Sequence, residues 1–152
     1  MTTHTAPGTT LAITLPTAHA LMTGDVTTIS STDTIARAME LMRHLHVRHL
    51  PVLDGSRFIG VVDERQLDLA VLEAGGPKGD VGRPVSSLAI AQVPTVLPAA
   101  DIRQVAAQLR ESHTGAVFVV DPAGHLRGII TVVDVLDALA AATPLHPLPG
   151  AG

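Results

Sequence analysis

Residues 128–135 read GIITVVDV, and within them Thr131 and Asp134 stand three apart behind a glycine and two apolar residues. A hydroxyl and a carboxylate at that spacing, where an apolar strand runs into a helix, can do two things. They can cap the helix, Thr at the N-cap and an acid three residues on, for about 1 kcal/mol. They can also grip a ligand. A helix N-terminus offers unpaired amide N–H groups and a partial positive charge, which together form a seat for phosphate. Thr131 can donate a hydrogen bond into that seat, and Asp134 can accept from two vicinal hydroxyls.

Sixty-eight residues earlier, positions 60–67 read GVVDERQL, the same frame with Asp63 and Gln66 at the polar positions. Asp63 and Gln66 make an equally competent cap, so capping does not separate the two copies. Ligand chemistry does. An ionised carboxylate only accepts, so Asp63 would repel a phosphate. Gln66 can bond a hydroxyl but lacks the charge-assisted strength of Asp134. These residues predict one good site in the second copy and a degenerate one in the first.

The elements that must hold these residues repeat as well. TTISSTDTIARAMELMRHLHVRHLPVLD (27–54) aligns with PTVLPAADIRQVAAQLRESHTGAVFVVD (94–121) at an offset of 67, which becomes 68 in the following turn. Each copy opens with a short β-branched strand, at 27–29 and 95–97. A helix follows, with Ile35, Ala38, Met39 and Met42 in one copy and Ile102, Val105, Ala106 and Leu109 in the other. That i, i+3, i+4, i+7 spacing predicts one buried stripe per helix. Two apolar strands then flank a turn begun by Asp54-Gly55 or Asp121-Pro122, and a second helix spans about 64–74 and 132–142. Each unit therefore reads β-α-β-β-α, an α/β (α+β) fold with its sheet covered on at least one face. One such sheet is a thin core for about 50 residues, so two units are expected to pack sheet to sheet as a pseudo-twofold pair. The expected boundaries are a mobile tail at 1–16, a first unit at 17–76, a second at 77–142 and a mobile tail at 143–152. Within them, EAGGPKGD (73–80) is the connector, and a short element at 81–88 echoes 18–22.

Composition narrows the class. The 152 residues are 46% hydrophobic and 16% charged, with net charge −4, no cysteine and 1% aromatic residues, all of them Phe. A chain of this size can bury roughly 70% of its unfolded surface without a disulfide or metal. No basic patch invites nucleic acid. With no Trp or Tyr, a flat ligand would have to lie between aliphatic walls. The absence of cysteine fits a reducing compartment. The first sixteen residues lack the basic start of a signal peptide, and no apolar run approaches the ~20 residues needed to cross a bilayer. The expected location is cytoplasmic, with no membrane and no nucleic-acid partner.

The duplicated order of strand, helix, RHLPVLD-type strand and GhhTxxDh segment (h apolar) closely resembles the tandem cystathionine-β-synthase (CBS) domain pair, or Bateman module, over about 17–140. RHLPVLD of the first copy and GIITVVDV of the second carry the resemblance most strongly. It implies regulatory binding of an adenosine-containing ligand: AMP, ADP, ATP, S-adenosylmethionine or NAD. It further implies that Thr131 contacts phosphate and Asp134 the ribose, that Thr95 and Val96 meet the adenine edge, and that Ala116 and Val117 form a wall. In the degenerate first site the equivalents are Thr28, Ile29, Asp63 and Gln66. Because the family's clefts face each other, Arg48 and His49 stand either as a guanidinium and imidazole reaching the second-site ligand or as ordinary strand-start surface residues. The resemblance also implies a homodimer, of undetermined orientation, and an unknown regulated protein.

Other features read as structure. His44 and His46 lie two apart near a helix end and point in different directions, and no cysteine or His-Glu-x-x-His joins them or His49 and His113, so no metal site is expected. Met22, Met39 and Met42 are expected to fill core. Gly60 and Gly128 permit either close approach of a ligand or a strand bulge. No nucleophile–base pair with an orienting group is visible, which argues against an enzyme. The reading is a stand-alone regulatory module with no obligatory cofactor. Its rivals are a ligand-free dimerisation scaffold and, more remotely, a metal-responsive module.

Overall fold

The structure is a computed structural model, and it describes residues 15–76, 79–88 and 90–142. The terminal segments expected to be mobile lie outside these residues, apart from 15–16, as does the centre of the connector at 77–78.

In chain order the elements are α1 (Ala18–Leu21), β1 (Ile29–Ser30), α2 (Ile35–Leu45), β2 (His49–Asp54), β3 (Arg57–Asp63), α3 (Glu64–Glu73), a 3₁₀ turn (Val85–Ser87), β4 (Thr95–Val96), α4 (Ile102–Glu111), β5 (Ala116–Val120), β6 (Leu126–Thr131) and α5 (Val132–Ala142). They form two three-stranded sheets of order β1-β2-β3 and β4-β5-β6. In each, a helix joins two parallel strands and a turn joins two antiparallel ones. This is the repeated mixed unit expected from the sequence. The short opening strands shift: β1 pairs at Ile29–Ser30, so Thr27 and Thr28 precede it, whereas β4 keeps Thr95 and Val96 but not Leu97.

Local chemistry starts and stops the helices. Thr34 caps α2 by accepting from the Arg37 amide at 3.1 Å, and Asp101 with Gln104 forms a reciprocal box at α4. His46, in the left-handed region at φ 55°, ends α2. The apolar stripes face their own sheets: Ile35, Ala38 and Met42 join Leu50 and Val52 in the first core, and Ile102 and Val105 join Val117 and Val119 in the second. Met39 and Met22 pack against these cores, in keeping with their reading as filler.

The lead-in segments cross over. Ala18, fully buried, belongs to the core of the second unit, and Val85, fully buried, to that of the first. Further along each lead-in, Thr23 exchanges backbone hydrogen bonds with Ile129 of β6 at 2.9 and 3.0 Å. Its counterpart Ala91 exchanges them with Val61 of β3 at 3.1 Å each. Repeat unit and packing unit therefore differ at these segments, and each repeat completes the other's fold.

This crossing explains both glycines. A Cβ on Gly60 would sit 2.5 Å from the Ala91 carbonyl oxygen, and one on Gly128 2.7 Å from that of Thr23. The register also slips opposite them, between Val52 and Leu53 and between Val119 and Val120. The glycines thus mark a bulge and admit the chain's own backbone. Between the sheets, Phe58 and Phe118 meet with ring centroids 5.2 Å apart, joining the two units through the only aromatic side chains in the sequence.

Candidate functional site

Thr131 is the last residue of β6, paired in register with Ala116 at the start of β5, and α5 begins one residue later. The hairpin therefore brings Ala116, Thr131 and Asp134 to one end of the second sheet. The Asp134 carboxylate accepts from the Thr131 amide at 2.8 Å and from the Thr131 hydroxyl at 3.1 Å. The Asp134 amide donates to that hydroxyl at 3.4 Å. Both bonds to the carboxylate fall on Oδ2, so among the described residues Oδ1 keeps its lone pairs for another donor. Both residues are only partly buried.

The first copy is built differently. Asp63 Oδ1 accepts from the Gln66 amide at 2.7 Å, and Gln66 Oε1 accepts from the Asp63 amide at 3.0 Å. A carboxylate already occupies the amide that a phosphate would seek. Ile29 is buried in the first core, and Thr28 is half-buried just before β1.

The loop entering β5 has its own clamp, which the sequence reading missed. Ser112 Oγ donates to the Ala116 carbonyl at 2.8 Å and accepts from the amides of Thr114, at 3.2 Å, and Ala116, at 3.3 Å. Gly115 takes φ 74° in this turn. The signal was present as Ser-x-Thr-Gly, a side-chain-supported turn. Arg48 and His49 occupy the equivalent of Gly115 and Ala116 in the first unit.

The remaining candidates scatter. Thr95 is exposed and lies between two hollows. One, of about 510 Å³, runs along α4 with Val96, Gln104 and Gln108; the other, of about 400 Å³, contains Asp54, Arg57, Gln92 and Val93. Val117 points into the second core, so as a wall it offers its main chain alone. Arg48 and His49 lie with the first copy's helix end. The Glu64 amide donates to the Arg48 carbonyl at 2.9 Å, and Arg48 Nε is 4.0 Å from a Glu64 carboxylate oxygen. Both residues line a charged hollow of about 440 Å³ with Asp63, Glu64, Arg65 and Asp68. His49 also lines an apolar cavity of about 310 Å³ between the units, with Leu50, Pro51, Phe118 and Ile129. The Arg48 main chain is thus tied to the start of its own unit's α3, and its largely exposed side chain lies beside Glu64.

Among the described residues, no three His, Cys, Asp or Glu side chains gather to hold a metal ion. No helix among them is long and apolar enough to cross a membrane.

Comparison with known proteins matches this architecture. The chain is 30% identical over 112 residues to inosine-5'-monophosphate dehydrogenase of Thermoplasma acidophilum; the match covers 74% of this chain and 21% of that protein, so the chain spans about a fifth of it. Its fold resembles the crystal structure of the CBS-pair protein CBSX2 from Arabidopsis thaliana (25% identity, TM-score 0.70, 84% of this chain and 96% of that one). CBSX2 has also been solved in complex with AMP (26%, 0.65, 83% and 97%). Hypoxic Response Protein I, solved with two coordinated zinc ions, is similar too (26%, 0.68, 81% and 98%). The CBS domain matches twice, over residues 18–73 and 85–141, once on each β-α-β-β-α unit, and the chain thus belongs to the CBS domain family as a tandem pair.

Proposed function

We propose that this CBS pair is a regulatory module that binds one adenosine-containing ligand (AMP, ADP, ATP, S-adenosylmethionine or NAD) at the second unit and transmits its occupancy through association with another protein. The observation that carries the reading is the state of Asp134: one carboxylate oxygen is anchored to Thr131 and the other is open to the hydroxyls of a ribose. Ala116 stands on the same rung as Thr131, where a base could rest against a small side chain. The Thr131 hydroxyl turns away from Oδ2 to donate to phosphate at the start of α5, a helix long enough for its N-terminal field to count. The AMP complex of CBSX2, a similar CBS pair, supports the ligand class.

One observation favours the rival reading, a ligand-free scaffold: the Asp63–Gln66 and Thr131–Asp134 pairs both cap a helix, a structural task that accounts for each of them. Calorimetric titration of AMP, ATP, S-adenosylmethionine and NAD against wild type and Asp134→Ala separates the two. A ligand held at 100 times its dissociation constant stabilises the folded state by about 2.7 kcal/mol. Asp134→Ala should lose that gain, along with roughly 1 kcal/mol of capping, so the ligand-induced rise in melting temperature is the quantity to compare. Well-folded wild type that gives neither heat nor a melting shift with any of the four is a scaffold.

A further inference from the structure

Among the described residues, Ser56 is the one serine with an imidazole beside it. Its Oγ stands 3.3 Å from His125 Nε2, and across the ring Nδ1 stands 3.6 Å from an Asp121 carboxylate oxygen. Hydroxyl, imidazole and carboxylate in that order form the relay that activates a nucleophile. The acid holds the ring proton on Nδ1, which leaves Nε2 free to take the proton of the hydroxyl. Backbone bonds fix the base against its acid: the Asp121 amide donates to the His125 carbonyl at 3.0 Å, and the His125 amide to Asp121 Oδ1 at 2.9 Å. The serine is carried in from the other unit, where the Phe58 amide donates to the Gly124 carbonyl and Arg57 bridges to His125. That main-chain pairing already joins the two turns, so joining them does not require the side-chain relay. In the repeat alignment the counterparts of Ser56, His125 and Asp121 are Gly124, Arg57 and Asp54. The relay therefore occurs once, and the fold does not impose it. The Gly55 and Ser56 amides donate to no described residue, and both residues are exposed. They are free to meet the oxyanion of a carbonyl under attack, a task that a nucleophilic serine's own amide performs in acyl transfer. Arg57 makes no ion pair among the described residues and, with Gly124, lines a hollow of about 400 Å³ at the same tip.

We propose that Ser56 is an acyl-accepting nucleophile, with His125 as its general base and Asp121 positioning the ring, and that it takes short acyl groups from acyl phosphates. As Ser56 Oγ bonds to the acyl carbon, its proton passes to His125 Nε2. The bond from that carbon to the phosphate oxygen breaks, and phosphate leaves with the electron pair. Arg57 supplies the departing anion with a counter-charge. Water, giving up a proton to the same imidazole, then releases the acyl group as a carboxylic acid and restores the serine. Ser56 and His125 are exposed, so no wall shuts water out, and the site is limited to donors with a good leaving group. None of this rests on the adenosine reading, because Thr131 and Asp134 take no part.

Two probes test it on the full chain. A fluorophosphonate should phosphonylate Ser56 and spare the other serines, as peptide mass spectrometry would read, and acetyl phosphate should acetylate the same hydroxyl. Ser56→Ala should lose both labels, and His125→Gln should slow both at least ~100-fold, with cooperative unfolding retained in each. In nitrogen NMR the neutral His125 ring should carry its proton on Nδ1, and Asp121→Asn should move it to Nε2. Four results overturn the proposal: no label on Ser56, labelling spread over the serines, labelling of His125→Gln as fast as wild type, or a ring proton that Asp121→Asn leaves in place. A fluorophosphonate label without acetyl transfer from acetyl phosphate overturns the donor class.

Discussion

Two polar positions distinguish the helix starts of the two units. Thr131 and Asp134 meet as hydroxyl and acid, whereas Asp63 and Gln66 meet as acid and amide, and both pairs hold a helix end. Installing the hydroxyl–acid pair in the first unit tests whether those positions alone decide what each site accepts. The double variant Asp63→Thr, Gln66→Asp keeps a good cap, so stability should change by less than about 0.5 kcal/mol. It also removes the carboxylate that repels phosphate and supplies one for ribose. If AMP binds wild type once per chain, calorimetry of the variant should find it twice. A stoichiometry that stays at one would mean that Arg48 and His49, where the second unit has Gly115 and Ala116, close the first site by themselves. At this scale the polar identities were readable because each cap is local, spanning three residues. The placement of Arg48 was not, because its main-chain bond to Glu64 depends on how the β2–β3 hairpin pairs.

At the scale of elements, the two hairpin turns clasp each other. Ser56 Oγ and His125 Nε2 are 3.3 Å apart, and the Phe58 amide donates to the Gly124 carbonyl at 2.9 Å. Asp121 organises the second turn by accepting from the amides of His125 at 2.9 Å and Ala123 at 3.0 Å, with Arg127 3.7 Å away. The His125 amide does most to hold its carboxyl below the ordinary 3.8; burial opposes it, and the His125 imidazole, the Ala123 amide and the Arg127 guanidinium each lower it further. A carboxylate whose pKa falls on folding adds stability at pH values above its unfolded pKa and loses it as pH drops through the folded one. Asp121→Asn should therefore lower the urea midpoint at pH 7 and pH 5. The gap to wild type should shrink below pH 3.8 and close further down. A gap of constant size from pH 7 to pH 2.5 would contradict this role. Asp121-Pro122 was legible as a turn, since turn chemistry is local. The clasp was not, because Ser56 and His125 are 69 residues apart and no periodicity connects them.

For the whole molecule, the decisive feature is the exchange of lead-in segments. The duplication announced two similar units, and their apolar strands announced that each needed a cover. Neither told which sheet a four-residue helix would join, because an apolar face on Ala18 fits either core equally well. The structure seats Ala18 in the second core, its amide donating to the Ala100 carbonyl at 2.7 Å, while Val85 fills the matching place in the first. Two units that complete each other in this way cannot melt one at a time, so thermal unfolding should be a single calorimetric transition with matching calorimetric and van't Hoff enthalpies. Ala18→Leu sharpens the test. It lies in the first repeat but adds bulk to a site with no free surface in the second core, at a cost of about 1–3 kcal/mol. The transition should move down in temperature as one, and amide exchange should quicken in β5 and β6 of the second unit as well as in the first. Two resolved transitions, or faster exchange confined to the first repeat, would show that the units stand independently and that the crossing carries no shared stability.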